Sequence, residues 1–214
     1  MLETLRALLV DPLLRIRIFS CNVGIYANYP TLFGVDCLLY FFRVFYFTSR
    51  IFLREDDELT YGESVYGSLK TLFTPYINES HKTFCDIGSG LGKVVFFSDR
   101  VLGLNSVGIE CNSTLVRVSN FLAKGLFFKR SSFLVQDFKT SMPKADIYLS
   151  PNTCLRTDSL AILGGELNCS KPGTLIFSIS TPLPIKNADI IGEHLVLFSW
   201  GKATVYVQRV CDTL

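Results

Sequence analysis

The chain has 214 residues, enough for one α/β domain with a modest extension, and its aliphatic and aromatic content can fill a complete core. Lys and Arg number 21 against 19 Asp and Glu, and a formal charge of +2 gives little support to a protein that grips nucleic acid through many phosphates. Seven cysteines with no Cys-x-x-Cys pair, and only His81 and His194 to assist them, make poor metal-site material and point to free thiols in a reducing, cytoplasmic compartment.

Residues 2–18 space Leu2, Leu5, Leu9, Leu13 and Ile16 close to a helical period, with Arg6, Arg15 and Arg17 interspersed, and Pro12 predicts a break or two short segments. The stretch lacks the apolar core and the small-residue cleavage site of a secretory leader. Residues 35–53 are rich in Phe, Tyr and Leu but contain Asp36, Arg43 and Arg50. A central arginine costs roughly 2.5–3.5 kcal/mol on insertion scales. A helical subdomain packed on the rest of the chain is therefore the leading expectation, with contact at a membrane surface and a true span as alternatives. The acidic run Glu55-Asp56-Asp57-Glu58 marks a boundary. The expected organisation is a helical N-terminal extension over 1–58, with membrane association open, and a second domain over 59–214.

The next element is the loop Leu59-Thr60-Tyr61-Gly62-Glu63-Ser64, followed by an amphipathic segment in which Tyr66 reads as a packing residue. Then Phe84-Cys85-Asp86-Ile87 reads as a buried strand closing on an acid, and Gly88-Ser89-Gly90-Leu91-Gly92-Lys93 as a glycine-dense turn into a helix. The dinucleotide pattern G-x-G-x-x-G fails because its third glycine would fall on Lys93, and the phosphate-cradling P-loop fails at Ile87 and Val94. Both phosphate readings drop out.

Ser106 to Glu110 is a second short apolar run ending in an acid, placed where a parallel strand sets a carboxylate against a ribose diol. Phe133 to Phe138 reads as a third strand, ending in Asp137 and Phe138, an acceptor and an aromatic suited to flank a purine. Ala145 to Ser150 is a fourth, running into Pro151-Asn152-Thr153. Gly173 to Ser180 is a fifth, and Leu195 to Trp200 with Ala203 to Val210 form a hairpin whose turn is expected at Gly201-Lys202. Cys85 and Cys154 read as packing residues.

The pattern Asp86-x-Gly88-x-Gly90-x-Gly92, with Glu110 and Asp137-Phe138 in order behind it, resembles motif I and its successors in class I S-adenosylmethionine-dependent methyltransferases. Joined to Thr60-Tyr61-Gly62-Glu63 at this spacing, it is most similar to the non-SET histone lysine methyltransferases of the disruptor-of-telomeric-silencing type. The resemblance implies a Rossmann-like seven-stranded sheet with helices on both faces and a C-terminal antiparallel strand. It implies S-adenosyl-L-methionine as cofactor, held by Thr60, Glu63, Ser64, Asp86, Gly88, Gly90, Glu110, Asp137 and Phe138. Asn152 and Tyr61 would lie at the methyl group, and a protein lysine would be the acceptor. A small-molecule or lipid acceptor, and a binding module without turnover, remain alternatives. Two departures stand out: Lys93 replaces the family's usual glutamine, and Ser150-Pro151-Asn152 replaces its Asn-Asn-Phe type of segment.

Overall fold

The computed structural model describes residues 12–50 and 63–212. Helix α1 (Pro12–Asn28) begins on the proline expected to break it. At the first helical position proline loses no hydrogen bond and its fixed φ suits the helix, so it starts the element instead of interrupting it. Helix α2 (Pro30–Arg50) also opens on proline, earlier in the chain than the apolar run suggested.

One face of this helical pair is buried. Ile25, Leu32, Val35 and Leu39 join Tyr66, Leu69, Phe73 and Phe97 in a single apolar cluster. Helix α3 (Tyr66–Phe73) supplies the far side of that contact. Asn22, fully buried, accepts from the Gly67 N–H at 3.0 Å, and a Cβ on Gly67 would lie 2.0 Å from the Cys21 carbonyl oxygen. The α1–α3 approach is thus closer than any side chain at position 67 permits.

The sheet has seven strands in the order β3-β2-β1-β4-β5-β7-β6. They are β1 (Thr83–Ile87), β2 (Asn105–Glu110), β3 (Ser131–Val135), β4 (Ile147–Pro151), β5 (Leu175–Ile179), β6 (Ala188–Phe198) and β7 (Gly201–Val210). The first five run parallel, and β7 pairs antiparallel with both β5 and β6. Central strands covered on both faces need continuous apolar sequence, and β5 is buried along its whole length. Three sequence expectations shift. β3 ends before Asp137 and Phe138, which fall in the turn beyond it. β6 starts well before Leu195. The hairpin turns at Ser199-Trp200, with Gly201 already paired to Phe198.

After β1 the chain enters α4 (Lys93–Phe97), all five residues of which are buried, and passes through a π-helical turn, Ser98–Leu102. Helix α5 (Ser113–Gly125) follows β2, its N-terminus capped by the Asn112 side chain, which accepts from the Thr114 and Leu115 amides. Helix α6 (Thr157–Leu167) lies between β4 and β5. At the start of β1, Asp146 accepts from the Lys82 and Thr83 amides at 2.7 and 2.9 Å, joining β1 to the start of β4. From β1 the chain moves outward through β2 and β3, then returns to β4 on the other side. This reversal opens a crevice at the carboxyl ends of β1 and β4, where open α/β sheets bind ligands.

Replacing Gly67 by alanine gains about 1 kcal/mol of helix propensity but overpacks a backbone contact, at about 1–3 kcal/mol. The Gly67→Ala protein is expected to lose up to about 2 kcal/mol in urea unfolding; a gain in stability would show that α1 and α3 are not in this contact.

Candidate active site

The turn leaving β1 is built on three left-handed glycines, Gly88, Gly90 and Gly92, with φ of 71°, 53° and 82°. Such angles are strained for any residue carrying a Cβ. At Gly92 space is lacking as well: a Cβ would stand 2.3 Å from the Phe133 ring. The Gly88 and Ser89 amides donate to the Ile109 carbonyl at 2.9 and 3.0 Å, fastening the turn to β2.

Glu110, at the end of β2, is the acid on which this turn closes. Its Oε2 accepts from the Gly90 N–H at 3.0 Å, and its Oε1 accepts from the Asn112 N–H at 2.8 Å and from the Cys111 thiol at 3.3 Å. Burial and the neighbouring Glu110 carboxylate push the Cys111 thiol up to about 11, so it stays a protonated donor. Glu110 Oε2, with a single bond, keeps acceptor capacity for a hydroxyl.

Asp86 lies across the turn from Glu110, 4% exposed. Burial, and then repulsion from Glu110, push its carboxyl up to about 8. Two acids brought together favour an incoming ammonium, which offsets both the burial and the repulsion behind this shift, and their oxygens can accept from a diol. The donor set therefore fits a ligand with a positively charged amino-acid end and a ribose.

Asp137 is exposed in the turn after β3. Its carboxylate accepts from the Lys139 N–H at 2.9 Å, and its charge is felt at Cys111. Phe138 is half-buried against the second apolar cluster. Glu63 and Ser64 are pinned to the β6–β7 hairpin: the Glu63 N–H donates to Ser199 Oγ, the Ser199 N–H donates to the Glu63 carbonyl, both at 2.9 Å, and Ser64 bridges Phe198. Thr60 and Tyr61 lie outside the described residues. Asn152 is 2% exposed and engaged at both ends: Ser150 Oγ donates to its Oδ1 at 2.5 Å, and its Nδ2 donates to the Thr181 carbonyl at 2.7 Å. Its amide thus braces the corner after β4. That corner faces the turn, since a Cβ on Gly88 would meet the Pro151 ring at 3.8 Å.

Sequence reasoning missed one member of this constellation. Lys93, buried at the start of α4, pairs with Asp36 of α2 at 2.8 Å, has Glu63 at 3.8 Å, and lies over the Tyr66 ring at 4.6 Å. Tyr26 in turn donates a short hydrogen bond to Asp36. Burial and the Asp36 charge hold the Tyr26 hydroxyl well above its ordinary range, so it serves as a donor. The signal was present: Asp36 is the one acid in an apolar helix and Lys93 the one charge in a buried one, and buried charges need partners. The N-terminal helices thereby supply a carboxylate at the glycine turn.

Residues 54–192 match the family described as Histone methylation protein DOT1, a span that includes the glycine turn, Glu110, Asp137 and the corner after β4. The chain belongs to that family. It is similar to the histone-lysine N-methyltransferase, H3 lysine-79 specific, of Dictyostelium discoideum, with 26% identity over 148 residues; these are 59% of this chain and only 8% of that protein. Solved structures share the fold. An RNA methyltransferase from Salinibacter ruber in complex with S-adenosyl-L-homocysteine superposes with a TM-score of 0.56 at 21% identity, covering 68% of this chain and 92% of that one. TrmN from Thermus thermophilus gives 0.57 at 15% identity, covering 74% and 55%. The Rossmann-like, seven-stranded arrangement is that of class I methyltransferases.

Two outcomes test the electrostatics. The folded Asp86 carboxyl titrates near 8 against an ordinary 3.8, so between these values the folded state holds a proton that the unfolded state has released. The contribution of this group to stability is then greatest below about pH 4 and falls as pH rises toward 8. Urea midpoints of Asp86→Asn should lose that downward slope; an unchanged slope would remove Asp86 as its source. Asp36→Ala leaves Lys93 buried with only the distant Glu63 carboxylate. A loss of about 2–3 kcal/mol in urea unfolding is expected, partial exposure of Asp36 moderating the cost of a broken buried pair.

Proposed function

We propose that this protein is an S-adenosylmethionine-dependent methyltransferase whose acceptor is a protein lysine. The observation that carries the reading is the pairing of Asp86 with Glu110 around the glycine turn, at the sheet reversal of a chain belonging to a histone methylation family. Asp86 and the Gly88–Gly90 backbone would hold the amino-acid end of the cofactor, and Glu110 its ribose. Asp137 and Phe138 would flank the adenine, with Thr60, Glu63 and Ser64 covering the methionine end. Lys93, where the resembled family usually has glutamine, would place its Asp36-paired ammonium beside the glycine turn.

When bound, that cofactor supplies an electrophilic methyl group on a sulfonium. The chain's own task is to align an incoming amine and exclude water, which needs no strong acid or base. The corner Ser150-Pro151-Asn152, locked by the Asn152 amide, gives the acceptor a fixed wall beside the turn. Tyr61 is the proposed aromatic neighbour of the acceptor. An apolar, aromatic approach would lower the pKa of a lysine ammonium and favour loss of its proton. All seven cysteines are free thiols, which supports a reducing, cytoplasmic setting.

Titration calorimetry with S-adenosylmethionine, followed by transfer of labelled methyl from the cofactor to a lysate, tests the reading. Saturable binding is expected, with label on protein lysine, and Glu110→Ala should weaken binding about tenfold or more while the fold is retained. Label confined to lipids or small metabolites would overturn the lysine acceptor, binding without transfer to any pool would leave a binding module, and no binding would overturn the cofactor.

A further inference from the structure

Helix α1 has two apolar faces, and only one is covered. At about 100° per residue, Leu14, Ile18 and Ile25 share the face turned to the core. Leu13, Ile16, Phe19 and Val23 share the opposite one, an arc of roughly 120°. Those four are 64%, 62%, 56% and 47% exposed. Arg15 borders the arc on one side and Arg17 on the other, and both are exposed. The apolar surface continues onto α2: Phe19 and Val23 of α1, together with Pro30 and Phe33 of α2, line a shallow groove of about 360 Å³. Phe41 of α2, 70% exposed, adds a further ring to the outward side.

The charge on this unit has one sign outward. Helix α1 contains no acid, and the single acid of α2, Asp36, is turned inward onto Lys93. An apolar arc edged by arginines, on a helix that itself carries no acid, complements a surface that is apolar beneath and anionic at its rim. Arginine stems can lie along the arc while the guanidinium groups reach the headgroups. Among the described residues no helix is long and apolar enough to cross a membrane, so the match is to lying on a bilayer and not to spanning it.

We propose that the outward face of the α1–α2 pair docks on the surface of an anionic lipid bilayer, with Leu13, Ile16, Phe19 and Val23 entering the acyl boundary and Arg15 and Arg17 at the phosphates. The proposal is independent of the methyl-transfer reading, because it uses none of the cleft residues. It adds a location for the acceptor: a protein held at, or presented along, the same membrane.

The test is co-sedimentation of the full chain with vesicles of phosphatidylcholine alone, and with vesicles containing roughly 30% phosphatidylserine, at low and high salt. Binding to the anionic vesicles is expected, weaker at high salt and on the neutral ones. Phe19→Glu and Arg17→Glu should each weaken it about tenfold, with unchanged circular dichroism. Leu195→Glu, on an exposed position of β6 outside this face, should leave it intact. The proposal is overturned if the chain stays in the supernatant with both vesicle types, or if Leu195→Glu is as damaging as Phe19→Glu. It is also overturned if sedimentation velocity shows a dimer that Phe19→Glu dissociates while vesicle binding is absent, which would assign the face to a second copy of the chain.

Discussion

The turn from Gly88 to Gly92 forms because three alternate positions lack a side chain, and much of the cleft is arranged around it. Its left-handed angles bring the Gly90 N–H onto the Glu110 carboxylate. The same carboxylate accepts from Asn112, the residue that caps α5. One acid therefore sets the turn after β1 relative to the helix after β2, and the position where a ribose would bind is part of the joint that shapes the cleft. Phe133 closes the arrangement from β3 by filling the volume that any Cβ at Gly92 would need.

Burying charge around that joint has a cost that the fold meets in two ways. Lys93 is neutralised by Asp36 and Glu63, carboxylates from two segments far apart in the chain, and it rests on an aromatic face. Asp86 has no such partner among the described residues and meets the cost by retaining its proton, with burial as the main cause. The site thus holds one satisfied buried charge and one unsatisfied acid. An unsatisfied buried acid at the carboxyl ends of parallel strands is where a ligand gains most from arriving.

How much of this was legible in the sequence depended on whether the signal was local. The strands with apolar runs, the glycine turn and the acids Asp86 and Glu110 follow from short-range pattern, and the seven-stranded sheet with antiparallel β7 followed from the family resemblance. Boundaries set by longer-range pairing moved. β6 extends back to Ala188 because β7 offers it partners throughout, and the hairpin turns before Gly201 for the same reason. Pro12 was read as a breaker because its effect depends on whether it falls inside a helix or at its first turn, which pattern alone does not decide. Asn152 was expected at the methyl group. Its amide is held by Ser150 and by Thr181, just past the neighbouring strand β5, and the second of these contacts is not local in the chain. The Asp36–Lys93 contact joins residues more than fifty positions apart, and only packing of α2 against α4 reveals it.

Helix α2 has a dimension that matters for what can reach the cleft. Asp36 touches Lys93 on its inner side, while Leu38 and Phe41, roughly 140–160° round the helix from it, are exposed on the outer side. An α-helix with its side chains is about 10–12 Å across. The wall between the outer aromatic surface and the glycine turn is therefore a single helix thick, so any body resting on that surface lies within one such thickness of the cleft.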